Sequence, residues 1–187
     1  RFTLAFGSCA NQARPIPLLD HMRLRGPDAF VFLGDNVYAD TEDEGHMRAT
    51  YQRLADKPEF QRLLASTRVE ATWDDHDYGV NDGGAEYPMK EEAKAIFLEF
   101  WGADADDPRR SRAGIYYTVM LKVGGRVIQL IILDTRTFRG PLRASGDDPA
   151  FKHRYRPGAN VSLLGDPQWR WLEAQLARPA DARIIAS

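Results

Sequence analysis

Four short apolar runs, each ending in a knot of chemically active residues, constrain this chain more than any other feature. Residues 2–6 (Phe-Thr-Leu-Ala-Phe) run into Gly7-Ser8-Cys9, and 29–33 (Ala-Phe-Val-Phe-Leu) into Gly34-Asp35-Asn36. Residues 69–73 run into Asp74-Asp75-His76-Asp77, and 127–133 (Val-Ile-Gln-Leu-Ile-Ile-Leu) into Asp134-Thr135-Arg136. Runs of this length read as strands, and the continuous apolar ones as strands buried on both faces. Helical stretches lie between them. Residues 89–101 put Ala93, Ile96, Phe97, Phe100 and Trp101 on one stripe, and Trp169, Leu172 and Leu176 share a face that begins after Pro167. Residues 44–66 read as one or two helices interrupted at Pro58. Alternating strands and helices predict an α/β fold. Gly124-Gly125 between two strand-like runs predicts a hairpin over 114–133, so the sheet should be mixed. Residues 136–162, rich in Gly, Pro and charge, predict a long surface loop of the kind that shapes binding sites.

Composition narrows the function. The 187 residues carry 25 Lys+Arg against 27 Asp+Glu, a net charge of −2, without the basic footprint of a nucleic-acid binder. No apolar run approaches the roughly 20 residues of a membrane-spanning helix. A single cysteine, Cys9, forms no internal disulfide. The length suits one domain, 1–187. Arg1 opens the chain without Met, and Ser187 follows directly on an apolar run, so both ends read as cut.

The site is predicted by position. Cys9, Asp35, Asp74–Asp77 and Asp134 each follow a strand, and ligands of open α/β sheets bind beyond the carboxyl ends of strands. Carboxylates gathered there repel, and a multivalent cation resolves the conflict. Thiol, phenol, carboxylate and imidazole together suit a transition metal beside a harder ion. Each residue also has a plainer reading. Cys9 alone is an ordinary small core residue. Asp35-Asn36 and Asp82-Gly83 are ordinary turn pairs, and Asp134-Thr135-Arg136 an ordinary surface ion pair. His21, His46 and His153 read as surface residues. Other phosphate and hydrolase chemistries fail on spacing. Arg14 follows Cys9 too early for a Cys-x5-Arg thiol phosphatase, and there is no Gly-x4-Gly-Lys-Ser/Thr loop, Gly-x-Gly-x-x-Gly turn or Gly-x-Ser-x-Gly elbow. Metal-assisted hydrolysis survives.

At these residues the sequence resembles the PhoD-like alkaline phosphatases, metallophosphoesterases related to purple acid phosphatases. The matching segments are Phe6-Gly7-Ser8-Cys9, Gly34-Asp35-Asn36-Val37-Tyr38, Thr72-Trp73-Asp74-Asp75-His76-Asp77, Leu133-Asp134-Thr135-Arg136, and Leu164-Gly165 with Gln168-Trp169 and Trp171-Leu172. The resemblance implies an αββα sandwich of mixed sheets flanked by helices. It implies Fe3+ on Cys9, Asp35 and Tyr38, with Asp35 bridging to Ca2+, and Asp75 and Asn81 as further metal ligands. His76 then stands beside the scissile phosphate. Arg136, with Arg139 and Arg143 on the following loop, is a candidate phosphate clamp. The implied reaction is hydrolysis of a phosphomonoester or phosphodiester by a metal-activated hydroxide. The implied substrate is a small-molecule, lipid or nucleotide phosphate ester, in an extracytoplasmic setting. The family closes its site with histidines on later strands, and nothing here matches them. The chain therefore reads as the N-terminal portion of a catalytic domain, expected to bind metal weakly by itself. The competing reading is a non-catalytic metal- or phosphate-binding module on the same scaffold.

Overall fold

The computed structural model of the chain describes residues 1–144, 155–157 and 162–187. In chain order the elements are β1 (Leu4–Gly7), α1 (Pro17–Leu24), β2 (Ala29–Leu33), α2 (Glu44–Ala55), α3 (Pro58–Ser66), β3 (Arg68–Thr72), the single turn α4 (Asp75–Tyr78), α5 (Lys90–Phe100), β4 (Tyr117–Val123), β5 (Arg126–Ile132), β6 (Leu142–Ala144), β7 (Tyr155–Pro157), α6 (Gly165–Leu176) and β8 (Ala182–Ala186).

Local chemistry sets the breaks. Pro58 cannot continue α2, because it lacks the N–H for the helical ladder, yet it suits the first turn of α3. The Asp43 carboxylate caps α2 by accepting the His46 N–H at 2.6 Å. In the β4–β5 hairpin Gly124 and Gly125 take φ of 54° and 79°, the left-handed pair a tight two-residue turn requires. The sequence expectations for these elements hold.

Two three-stranded sheets form, β1-β2-β3 all parallel and β4-β5-β8 mixed. The period of two along β2 divides the core. Val31 and Leu33 face the second sheet and pack with Leu4, Leu130, Ile132 and Ala186. Phe30 and Phe32 point the other way, into the layer of α1, α2, α3 and α5, with Leu19, Met47, Leu63 and Phe97. Full burial of each such side chain contributes roughly 1.5–3 kcal/mol. Ile131 on the outer face of β5 packs beneath α6, against Leu164 and Leu172. The result is the expected sandwich, helices–sheet–sheet–helix.

Only part of the predicted 136–162 loop is described; there β6 and β7 pair antiparallel. His153 lies outside the described residues, as do the side chain of Arg143 and residues 145–154. Among the described residues no helix is long and apolar enough to cross a membrane.

Candidate metal centre

Because β1, β2 and β3 are parallel, the loops that follow them emerge at one edge. They are tied together there: the Cys9 N–H donates to the Gly34 carbonyl at 3.2 Å, and the Ala10 N–H to that of Asp35 at 2.8 Å. Gly34, with φ of 101°, lets β2's exit pass the exit of β3. A Cβ at this position would stand 2.6 Å from the Asp74 nitrogen. The four described non-glycine residues with left-handed φ are Cys9, Asp35 and Asp40, in these loops, and Asp82, in the loop after α4. Backbone strain concentrates at the site, as it does at functional clusters generally.

Asp35, Asp75 and His76 offer ligand atoms that lie within 4.8 Å of one another. Around them the Cys9 thiol lies 3.5 Å and the Tyr38 hydroxyl 3.4 Å from Asp35 Oδ2. The other oxygen, Asp35 Oδ1, is buried and has no hydrogen-bond partner among the described residues. A buried carboxylate oxygen without a donor is costly, and a cation is the group that would satisfy it. Cys9 is exposed rather than a core residue. Burial, together with the Cys9 thiol and the Asp35 charge, pushes the Tyr38 phenol well above the ordinary tyrosine range.

Asp75 is buried. Burial works to raise its pKa, but the Asp82 N–H at 2.7 Å, Arg136 and His76 outweigh it and hold the group below the usual carboxylate value. Asp74 goes the other way, because burial, Asp75 and Asp35 prevail over Arg136. The Arg136 Nε donates to Asp74 Oδ1 at 2.6 Å, and its Nη2 contacts Asp74 and stands 3.6 Å from Asp75 Oδ1. His76 is half-buried. Burial lowers its pKa, but Asp40, Asp75 and Asp35 together raise it above the usual imidazole value.

Not every predicted residue joins the cluster. Asn81 is exposed and turns its amide to Asp82 at 3.0 Å. Arg139 is buried and bonds outside the cluster, donating to the carbonyls of Asp82 and Gly140 and pairing loosely with Glu86. Asp134, one of the predicted strand-end donors, is wholly buried and structural. It accepts from Trp73 Nε1 at 2.9 Å, from the N–H groups of Ile115, Arg136 and Thr137, and from the Thr137 hydroxyl. It thereby fixes the turn that carries Arg136. His21 and His46 are exposed, as expected.

Two supports, Asp40 and Gln12, escaped the motif reading, and Asp77, named there only within the strand-end run of acids, is a third. Asp40 holds the His76 ring, its oxygens 2.7 Å and 2.8 Å from Nδ1. The Gln12 side-chain amide brackets the Tyr38 backbone, accepting its N–H at 2.9 Å and donating to its carbonyl at 3.1 Å. Asp77 accepts four N–H donors from Asp35, Asn36 and Asp74. The one local signal for Asp40 is an acid two residues past the tyrosine of Gly-Asp-x-x-Tyr.

The sequence model of the family described as PhoD-like phosphatase matches residues 4–187. Among solved structures, one titled "Structure of PhoD" superposes with a TM-score of 0.76 at 20% identity, over 98% of this chain and 41% of its own. The chain thus spans about two fifths of that neighbour's length. No curated protein matches the sequence. With the fold shared and the family's model matched across almost the whole chain, this protein belongs to the PhoD-like phosphatase family.

Proposed function

We propose that residues 1–187 form part of a metal-dependent phosphoesterase domain that hydrolyses phosphomonoesters or phosphodiesters. The observation that carries this reading is the Asp35–Asp75–His76 cluster of ligand atoms, in which Asp35 also keeps a buried oxygen without a hydrogen-bond partner among the described residues. The donor set fits the implied metals. Cys9, Asp35 and Tyr38 would hold a ferric ion, whose charge favours an ionised thiol and phenol. Asp35 and Asp75 would also supply oxygen ligands to calcium; Asn81 would need to leave Asp82 to join them. When bound, such ions supply Lewis acidity toward a phosphoryl oxygen and acidify a water.

The chain's own residues supply the remainder. Asp75, held ionised by the Asp82 N–H and Arg136, presents negative charge without waiting for deprotonation. His76, half-buried within the cluster, would face the leaving-group oxygen of a bound ester, where a protonated ring can give up its proton. Arg136 pairs with Asp74, stands 3.6 Å from Asp75 Oδ1, and would offer its guanidinium to a bound phosphoryl group. The substrate class is a small-molecule, lipid or nucleotide phosphate ester, and the family resemblance supports an extracytoplasmic location.

The test is elemental analysis joined to turnover on chromogenic monoester and diester substrates, for wild type and His76→Ala. The reading expects iron and calcium in both proteins and a loss of turnover of about 100-fold or more in the variant. Metal retained with no turnover in either would favour a binding module instead. Failure of both proteins to take up ferric iron and calcium when titrated with an excess of each would refute the reading.

A further inference from the structure

The hold of Asp40 on His76 goes beyond the ligand set. Asp40 lies in the loop after β2, five residues past Asp35, with φ of 44°. That conformation turns its carboxylate back over the site, and both oxygens converge on Nδ1 of His76. A second tie fixes the same contact, because the Ala39 N–H donates to the His76 carbonyl at 3.1 Å. The Tyr38 ring lies against the imidazole, centroids 4.4 Å apart at 36°. The imidazole is thus held by an acid on one nitrogen and an aromatic face along its plane. Among the described residues Nε2 has no protein partner.

We infer that Asp40 is a positioning residue that keeps the proton of neutral His76 on Nδ1 and leaves Nε2 as the nitrogen that works at the site. A carboxylate has no proton to give, so the nitrogen it touches must be the donor, and a neutral ring carries one N–H only. The bond on one ring nitrogen therefore decides what the other can do. With Nδ1–H committed to Asp40, Nε2 presents a lone pair toward a cation, or, once the ring takes a second proton, an N–H toward an anionic oxygen. The role of Nε2 in catalysis rests on the phosphoesterase reading. The tautomer itself does not.

The test uses long-range proton–nitrogen NMR of the metal-free chain, with the ring kept neutral at a pH well above the imidazole range. Asp40→Gly removes the carboxylate at a backbone position glycine tolerates. Asp40→Asn keeps an acceptor oxygen and the tolerance for left-handed φ, and guards against a folding failure of the first variant. The expected result is a wild-type His76 with its proton on Nδ1, and a shift of population toward Nε2–H that is large in Asp40→Gly and smaller in Asp40→Asn. In the metal-loaded protein Asp40→Gly should lower kcat on the order of 10-fold with little change in KM. An unchanged tautomer in both variants would overturn the inference. A shifted tautomer in a protein without phosphatase turnover would leave the positioning role standing and remove the phosphoesterase reading.

Discussion

The wholly buried carboxylate of Asp77 accepts the backbone N–H of Asp35 at 3.3 Å, so one acid sets the orientation of another at the head of the site. The same carboxylate takes the Asn36 N–H at 3.1 Å, Asn36 Nδ2 at 2.5 Å and the Asp74 N–H at 2.6 Å. Burial pushes the Asp77 pKa well up, opposed by the N–H donors of Asn36 and Asp74. This side chain ties the loop after β2 to the turn after β3, beside the Ala39–His76 and Asp40–His76 contacts.

Asp77→Ala should therefore act on fold and site together. It strands several buried N–H groups, a loss of about 3 kcal/mol, which for a chain this size lowers Tm by roughly 6–12 °C. Calorimetry reads the first effect, and titration with ferric iron should show weakened binding. A variant that melts with the wild type would show that the loops hold their geometry without Asp77.

Tyr38 offers a spectroscopic test. Burial and its contacts with Cys9 and Asp35 hold the phenol protonated at pH values where an exposed tyrosine ionises. The metal-free chain should show no tyrosinate absorbance from Tyr38 on raising the pH through the ordinary tyrosine range. Addition of ferric iron should produce a visible tyrosinate–iron band, absent in Tyr38→Phe. A band that persists in the variant would assign it to another residue.

Gly34→Ala tests the closeness of the strand exits. The added Cβ meets backbone and Cβ of Asp74 at 2.6 Å, at a φ of 101° that side chains rarely adopt. Neither obstacle is a flexible side chain that can move away. A loss of about 2 kcal/mol or more is expected from chemical denaturation, with weakened metal binding. Neutral behaviour would mean the two loops separate freely.

Outside the cluster, Asp20 on α1 joins α3 through Arg62, at 2.9 Å and 2.5 Å, and Arg23 within its own helix at 3.3 Å. The bond to Arg62 leads the causes that lower its pKa from 3.8 to about 2. A folded-state pKa below the unfolded value stabilises above the unfolded value, and the contribution fades as the pH falls toward about 2. Asp20→Asn should melt below wild type at neutral pH, and the gap should narrow below the ordinary aspartate range and close near the lower value. The pair is exposed, so added salt should also narrow the gap. A gap that stays constant down to acid pH would assign the effect to something other than charge.

The sequence by itself determined the layers and the location of the chemistry. Continuous apolar runs such as Ala29–Leu33 and the stripe from Ala93 to Trp101 are local patterns whose burial is dictated by period alone, and Pro58 and Gly124-Gly125 break the chain by local sterics. The clustering of Cys9, Asp35, Asp75 and His76 was legible because parallel strands bring their carboxyl ends to one edge whatever their separation in sequence. Tertiary structure alone decided which acid does what. Asp134, Asp77 and Asp75 are alike as residues at strand ends, yet the first two are consumed by buried N–H donors and the third is left beside His76. Arg136 meets the cluster while Arg139, three residues on, braces a loop. Asp40 reaches His76 across 36 positions through a left-handed turn. A side chain's role is set by which donors surround it after packing, and those donors come from distant segments that no local pattern encodes.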